Sequence, residues 1–349
     1  MKTVLFCQNA YAFGVLRPIM EALKEHKEPY IWFVKPSIAA IFPFEKEAHT
    51  SDLNVIAAFQ SDVIFVPGNE VPHYLRGVKA QVFHGLAGEK KGHFRIRDYF
   101  DLYLTQGPYF TEKFNILKTK NNNFDVIETG WPKLDVYGKE SLNFDQAKLA
   151  MLLKYKVKKI ILYAPTFSPS LTSAPYLLNE IEELAKNSSY LILCKFHDLM
   201  DKGLIADYKE LGRKHKNIVF EEERNISKFL YLADILISDT SSVVYEFLLL
   251  DKPVITFKSS SKNIVWKDSK VYKNLVKLVV ESFSIDPFKQ QRAIIREEYH
   301  PYNDGNSALR MLAAVRKYIH TNGVPEKRKL SFLRRRKIHK IFGKIKLQK

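Results

Sequence analysis

A histidine followed by a glycine-rich, basic loop is the first feature whose residue types suit catalysis. His84 ends an apolar run at residues 80–83, and three glycines and two lysines follow it up to Gly92. Imidazole titrates near neutral pH and can take a proton from a hydroxyl, while glycine lets the backbone approach an anionic ligand. The pattern favours a general base beside an anionic substrate; a purely structural histidine at a strand end is the alternative.

A second histidine lies in the same position relative to another apolar run. Lys195 and His197 end the run at residues 190–195. His197 thus leaves an apolar run at its carboxyl end, where ligands of parallel sheets bind, and this position favours a functional role. The alternative is a loop histidine that pairs with the neighbouring Asp198.

The third feature is a hydroxyl-rich turn between a strand and a helix. Asp239, Thr240, Ser241 and Ser242 follow the apolar run 235–238 and precede a predicted helix at residues 243–249. Free N–H groups at a helix start, together with Ser and Thr hydroxyls, bind phosphate. A simple N-cap needs one such side chain, so this turn indicates a phosphate site, with plain capping as the alternative.

Several other phosphate and metal motifs are absent from the sequence. It contains no G-x-x-x-x-G-K-[ST] loop, no H-E-x-x-H, no cysteine pair with zinc spacing and no Asp-x-Asp pair. We therefore expect a metal-independent site without a cofactor, in which helix ends, histidine and lysine meet the charge of a diphosphate.

The elements that must position these residues alternate between short apolar strands and amphipathic helices. Predicted strands are residues 4–7, 31–34, 63–66, 80–83, 102–105, 125–128, 159–163, 190–195, 218–220, 235–238 and 254–257. Predicted helices are residues 16–27, 38–42, 110–117, 174–186, 226–232, 243–249 and 307–319. The alternation predicts an α/β protein with two doubly wound parallel-sheet domains, whose ligands bind at the carboxyl ends of the strands, in a cleft that the two domains face.

The polar stretch 138–152 predicts the domain boundary. We expect an N-terminal domain at residues 1–138, a second domain at residues 139–320, and a tail at residues 321–349. No apolar run is long enough to cross a membrane, and residues 1–7 read as a buried strand better than as a signal peptide. Cys7 and Cys194 lie in strand-like segments, which indicates reduced core residues of a cytoplasmic protein.

The tail carries a large share of the positive charge. The whole chain has a net charge of +17, and residues 326–349 contain eleven Lys or Arg against one Glu. Ile338, Ile341, Phe342 and Ile345 follow helical spacing, which predicts a basic amphipathic helix on an anionic membrane surface. A disordered solubilising tail and a nucleic-acid-binding segment are the alternatives. The basic residues are not accompanied by a set of aromatic residues on which bases could stack, so we expect no nucleic-acid partner.

Taken in order, six segments resemble motifs of the CDP-glycerol glycerophosphotransferases, which make teichoic acids and related polymers and have a GT-B fold. The segments are residues 81–85 followed by Lys90 or Lys91, then 129–135, 161–167, 195–197, 236–242 and 304–306. The resemblance runs from about residue 80 to residue 310 and depends on the order and spacing of the motifs. The first 75 residues match only in the alternation of strands and helices.

The resemblance implies a reaction and a role for each candidate residue. His84 would take the proton of an acceptor hydroxyl, whose oxygen attacks the phosphorus next to glycerol while CMP leaves. His197, Ser241 and Ser242 would hold the diphosphate. The remaining donor-site candidates are Lys195, Thr240, Thr166 and Asp239, of which Asp239 would orient the turn.

The resemblance also implies the partners. Residues 1–138 would form the acceptor side and residues 139–320 the donor side. The donor would be CDP-glycerol or a similar CDP-alcohol, and the acceptor a lipid-linked glycan at the inner face of the plasma membrane. A UDP-sugar glycosyltransferase, a UDP-sugar 2-epimerase and a non-catalytic anion-binding scaffold are the competing interpretations.

Overall fold

The computed structural model describes residues 1–86, 92–223, 225–262 and 264–345. They divide into two compact units, of which one is built from two separate parts of the chain. The first unit contains residues 1–139 and the described residues from 298 onward, and the second contains residues 140–297. Each unit has its own parallel sheet.

The first unit is built on a seven-stranded sheet with the order β3-β2-β1-β4-β5-β6-β7, in which every described pairing is parallel. Its strands are β1 Thr3–Cys7, β2 Tyr30–Val34, β3 His49–Thr50, β4 Val63–Val66, β5 Val78–Gln81, β6 Leu102–Thr105 and β7 Asp125–Glu128. Its helices before residue 140 are α1 Ala12–Glu25, α2 Pro36–Ala39, α3 Leu53–Phe59, α4 Pro108–Lys118 and α5 Asp135–Lys139.

The second unit is built on a six-stranded parallel sheet with the order β10-β9-β8-β11-β12-β13. Its strands are β8 Lys159–Tyr163, β9 Tyr190–Cys194, β10 Ile218–Phe220, β11 Ile235–Ser238, β12 Val254–Phe257 and β13 Lys267–Ser269. Its helices are α6 Ser141–Tyr155, α7 Ala174–Ala185, α8 Lys202–Lys214, α9 Ser227–Leu232, α10 Val243–Leu248 and α11 Leu275–Ser284, and α12 Lys289–Tyr299 contains the boundary between the units.

The central strands form because they are rich in β-branched and aromatic residues and lack polar alternation. β1, β4 and β11 are buried along their whole length, as expected when helices cover both faces of a parallel sheet. In each sheet all carboxyl ends therefore lie at one edge, and the loops after β8, β9 and β11 are neighbours. The predicted α/β class with two parallel-sheet domains is confirmed.

The predicted break at residues 138–152 is helical in the structure. α6 spans Ser141–Tyr155 and exposes Leu142, Leu149 and Leu153. The weak separation of its apolar and polar faces explains why periodicity did not indicate a helix there.

We expected the second domain to continue to residue 320, but the chain returns to the first unit after residue 297. α13 (Ser307–Asn322) begins where the buried Asp135 accepts backbone hydrogen bonds from Ser307 (2.9 Å) and Ala308 (2.8 Å). A carboxylate at a helix N-terminus satisfies free N–H groups and opposes the helix dipole. This capping interaction fixes α13 to the first unit.

The predicted tail is also part of the first unit over its described length. α14 (Phe332–Phe342) places Ile338, which is fully buried, in the core of that unit, and its Phe342 ring lies 5.6 Å from Phe6. Arg328 pairs with Asp101, and Lys337 pairs with Glu70 at 2.9 Å. The predicted membrane-facing stripe is therefore wrong for these two apolar residues, because they pack against protein.

Candidate functional site

The end of β5 turns sharply and presents His84 to solvent. Phe83 has a φ of +58°, a left-handed conformation that costs a non-glycine residue about 1 kcal/mol or more. Its ring is buried beside Phe114, with ring centroids 5.2 Å apart, so packing holds the turn. His84 follows as an exposed residue.

The hydrogen bond of His84 determines which ring nitrogen can act as a base. Its Nδ1 lies 3.0 Å from the carbonyl oxygen of Pro67, which can only accept, so Nδ1 carries the hydrogen. In the neutral ring the lone pair is then on Nε2. The Tyr11 ring packs beside the imidazole, with the two ring centroids 5.2 Å apart.

Two buried glutamines support the backbone around His84. Gln81 donates to the carbonyl of Gly68 at 3.1 Å, and Gln106 donates to the carbonyl of Gly85 at 3.0 Å. Lys90 and Lys91, which the resemblance included in this motif, lie outside the described residues.

Two further motifs meet in the first unit and have a structural role there. Gly130 has a φ of +83°, and a Cβ atom at this position would lie 2.5 Å from Ser307 Oγ, so only glycine fits. Arg310 joins the two motifs, because it donates to the carbonyl of Thr129 (2.8 Å) and pairs with Asp304 (2.7 Å). Sequence spacing alone did not show that residues 129–135 and 304–306 are in contact.

In the second unit, Asp239 connects the hydroxyl-rich turn to the loop after β8. Its carboxylate is buried and accepts hydrogen bonds from Thr166 N (2.8 Å), Ser173 N (2.9 Å) and Ser173 Oγ (3.0 Å). Burial raises the pKa of Asp239 to about 6, although these donors oppose the shift. Asp239 thus positions Thr166.

The three hydroxyls of the turn have different environments. Thr240 Oγ1 accepts from Ser260 N at 3.0 Å, and Ser241 Oγ lies 3.4 Å from Val243 N. Ser242 is the N-cap residue of α10, yet its side chain makes no capping hydrogen bond in the described part of the chain. All three residues are partly exposed, so their hydroxyls can reach a ligand.

The Nδ1 atom of His197 accepts a hydrogen bond, whereas the Nδ1 atom of His84 donates one. His197 Nδ1 accepts from the backbone N–H of Leu199 at 3.1 Å, so the hydrogen of the neutral ring is on Nε2. Desolvation lowers the pKa of His197, an effect that the Asp198 carboxylate opposes. The ring lies 4.5 Å from that of Phe167, next to Thr166, and this contact links His197 to the loop held by Asp239.

Lys195 follows β9 and has a buried side chain. Its ammonium donates to the carbonyl of Phe196 at 2.8 Å, and burial lowers its pKa. The structure thus brings Thr166, His197 and the turn around Asp239 together at one edge of the second sheet. Ser173 and Ser260, which sequence reasoning missed, hold this edge; their position after β8 and β12 was the available signal.

Comparison with known proteins shows where this arrangement belongs. The family model of CDP-glycerol:poly(glycerophosphate) glycerophosphotransferases matches residues 93–317. The teichoic acid ribitol-phosphate polymerase TarL of Staphylococcus aureus is 30% identical over 260 residues, which cover 64% of this chain and 43% of that protein. The chain therefore spans less than half the length of this relative.

Solved structures share the fold at low sequence identity. The wall teichoic acid polymerase TagF, in a structure with CDPG, has a TM-score of 0.65 at 18% identity and covers 91% of this chain and 89% of its own. The UDP-GlcNAc 2-epimerase of Neisseria meningitidis has a TM-score of 0.65 at 15% identity, over 91% of this chain and all of its own. The fold is thus GT-B-like, and, by the family match over most of its length, the chain belongs to the CDP-glycerol:poly(glycerophosphate) glycerophosphotransferase family.

Proposed function

We propose that this protein transfers glycerol phosphate, or a related alditol phosphate, from a CDP-alcohol to a hydroxyl group of a glycan or lipid-linked acceptor and releases CMP. The observation that carries the proposal is the pair of oppositely hydrogen-bonded histidines. The neutral ring of His84 has its lone pair on Nε2 because its hydrogen is on Nδ1, whereas the neutral ring of His197 carries its hydrogen on Nε2. One can accept a proton and the other can donate a hydrogen bond to a phosphate.

His84 acts on the acceptor. Its Nε2 takes the proton of the acceptor hydroxyl, and the hydroxyl oxygen forms a bond to the phosphorus next to the alditol. The bond between that phosphorus and the bridging oxygen of CMP breaks, and CMP leaves with the electron pair. The Pro67 carbonyl stabilises the imidazolium that forms, because it already accepts from Nδ1.

The residues of the second unit hold the donor. Nε2–H of His197 and the hydroxyls of Ser241 and Ser242 bind the diphosphate, with Thr240, Thr166 and Lys195 completing the donor site. Asp239 keeps this set aligned through its bonds to the loop after β8. Phosphoryl transfer depends mainly on positioning and on donors aimed at developing charge, and these residues supply both without a metal.

A panel of nucleotides tests the reaction class. The protein is incubated with CDP-glycerol, CDP-ribitol or UDP-GlcNAc and a bacterial membrane fraction, and released CMP or UDP is measured. We expect CMP release from a CDP-alcohol that depends on the membrane fraction. Release of UDP, or conversion of UDP-GlcNAc to its 2-epimer, with no turnover of CDP-alcohols would reject the proposal.

We further propose that the protein associates with the anionic inner face of the plasma membrane through the outward side of α14. Phe332 and Leu333 are 69% and 76% exposed, and Arg336 and Lys340 follow Phe332 at intervals of four residues. Two exposed apolar side chains beside cations suit an anionic lipid surface. No described helix is long and apolar enough to cross a bilayer.

Vesicle binding tests this surface. Replacing Phe332 and Leu333 with Ser should weaken sedimentation with vesicles of phosphatidylglycerol and phosphatidylcholine but leave the fold unchanged, since neither side chain is buried. Leu142→Ser, at a leucine of 76% exposure in the second unit, is the matched control. Equal sedimentation of the double variant and the wild type would reject this surface.

A further inference from the structure

Two stacked tyrosines and a lysine form an exposed surface at the carboxyl edge of the second sheet. The rings of Tyr176 and Tyr272 lie 4.8 Å apart and are nearly parallel, at 9°. The ammonium of Lys258 lies over both rings, 4.7 Å from the centroid of Tyr272 and 6.0 Å from that of Tyr176. We refer to Tyr176, Lys258 and Tyr272 as the tyrosine–lysine surface.

Packing against the core accounts for the position of Tyr272 but not for that of Tyr176. Tyr176 is 60% exposed and therefore gains little from burial, although Tyr272 packs against the buried Phe257 with centroids 5.4 Å apart. Lys258 has a φ of +49°, which costs a non-glycine residue about 1 kcal/mol or more. An exposed aromatic stack beside a strained lysine resembles a ligand site more than a structural contact.

The tyrosine–lysine surface is tied to the hydroxyl-rich turn by two hydrogen-bonded connections. Tyr176 comes three residues after Ser173, whose N–H and hydroxyl bind Asp239. Lys258 comes two residues before Ser260, whose N–H binds Thr240. A ligand on this surface would therefore lie beside the residues that the proposed function assigns to the donor phosphates.

The charge of the segment indicates the kind of ligand. Residues 258–277 contain six lysines and one acid, Asp268. The carboxylate of Asp268 interacts with groups of the protein itself: it accepts hydrogen bonds from Thr256 Oγ1 (2.7 Å) and Ser259 N (2.9 Å) and forms an ion pair with Lys270 (2.6 Å). The segment is thus positive overall, although Lys270 pairs with Asp268 and Lys277 pairs with Glu281.

We propose that the tyrosine–lysine surface binds the phosphate-bearing polyol or sugar chain of the acceptor. The exposed face of Tyr176 packs against the C–H groups of the chain, and Lys258 meets a phosphodiester oxygen. The negative charge of the phosphates is complementary to the net positive charge of residues 258–277. This inference rests on the proposed function and extends it, because it assigns a surface of the second unit to binding of the acceptor chain.

Binding of a short glycerol-phosphate oligomer tests the proposal. The double variant Tyr176→Ser, Lys258→Gln should bind the oligomer about tenfold more weakly than the wild type by isothermal titration calorimetry, since one stacking contact and one cation are lost. Lys216→Gln is the matched control, because Lys216 is an exposed lysine just before β10, at the opposite edge of the same sheet. It should bind within about twofold of the wild type.

Two further measurements separate this inference from the proposed function. A neutral oligosaccharide of similar length should bind the wild type more weakly than the oligomer, and the affinity for CDP-glycerol should be unchanged in the double variant. Unchanged oligomer binding, equal binding of the neutral chain, or a matching loss of CDP-glycerol binding would overturn the inference. Oligomer binding that is weakened in the double variant of a protein that does not turn over CDP-alcohols would support this surface and reject only the donor assignment.

Discussion

Acidification should weaken the first unit through His300. This histidine is 6% exposed, and its Nε2 accepts the backbone N–H of Trp131 at 2.9 Å. Only the neutral ring can accept that bond, so protonation removes it and places a charge in the core. Burial, with a smaller effect from Arg310, lowers the pKa of His300 to about 4 from its ordinary 6.5.

The sign and size of the effect follow from proton linkage. Because the pKa of His300 is lower in the folded state than in the unfolded state, the unfolded chain binds more protons between pH 6.5 and pH 4. The contribution of His300 is complete above pH 6.5 and is lost as the pH falls toward 4. Between pH 7.5 and pH 5 the loss in the free energy of unfolding is about 2 kcal/mol.

Urea unfolding of the wild type and of His300→Gln at both pH values measures this loss. The side-chain oxygen of Gln can accept the Trp131 N–H but does not titrate, so the variant should lose about 2 kcal/mol less on acidification. Burial also lowers the pKa of His73 and of His93, so the comparison between variants, and not the total pH dependence, isolates His300. Equal losses in both proteins would refute the reasoning.

Three further substitutions test separate parts of the molecule. His84→Ala should reduce CMP release about 10²–10⁴-fold while CDP-glycerol still binds, and near-normal turnover would remove His84 from the mechanism. Replacing Ser241 and Ser242 with Ala should weaken CDP-glycerol binding in calorimetry but cost at most about 1 kcal/mol of stability, since Ser242 makes no capping hydrogen bond among the described residues; unchanged affinity would exclude the two hydroxyls from the donor site. Ile338→Ala should lower the free energy of unfolding by about 2–5 kcal/mol, because Ile338 is fully buried. Ile341 is 40% exposed, so Ile341→Ala should lower the free energy of unfolding far less. Equal effects of the two substitutions would contradict the packing of α14.

The strands were the most predictable part of the fold. Residues 63–66, 102–105 and 235–238 match the observed strands in full, because uninterrupted apolar runs between polar turns have few other ways to be buried. β3 and β13 were missed, since two or three residues with polar side chains carry no periodic signal. The position of His84 and of residues 239–242 after strands could likewise be predicted.

Contacts between distant parts of the chain could not be predicted. The spacing of Ile338 and Phe342 suits a lipid surface and a protein core equally well, and only the fold shows that both pack against protein. Asp135 and Ser307 are 172 positions apart, and nothing in either local sequence indicates their hydrogen bond. The tautomers of His84 and His197 likewise depend on backbone groups that pattern analysis does not locate.

The divided first unit has a consequence for synthesis on the ribosome. The second unit is one continuous segment, residues 140–297, and can fold as soon as it has emerged. The first unit needs Asp135 to meet α13 and needs Ile338 in its core, so it completes only after more than 300 residues have been translated. Until α13 and α14 have been synthesised, the part of the sheet formed by residues 1–139 keeps exposed the apolar surface that these helices later cover. We therefore expect chaperones to bind nascent chains mainly at residues 1–139.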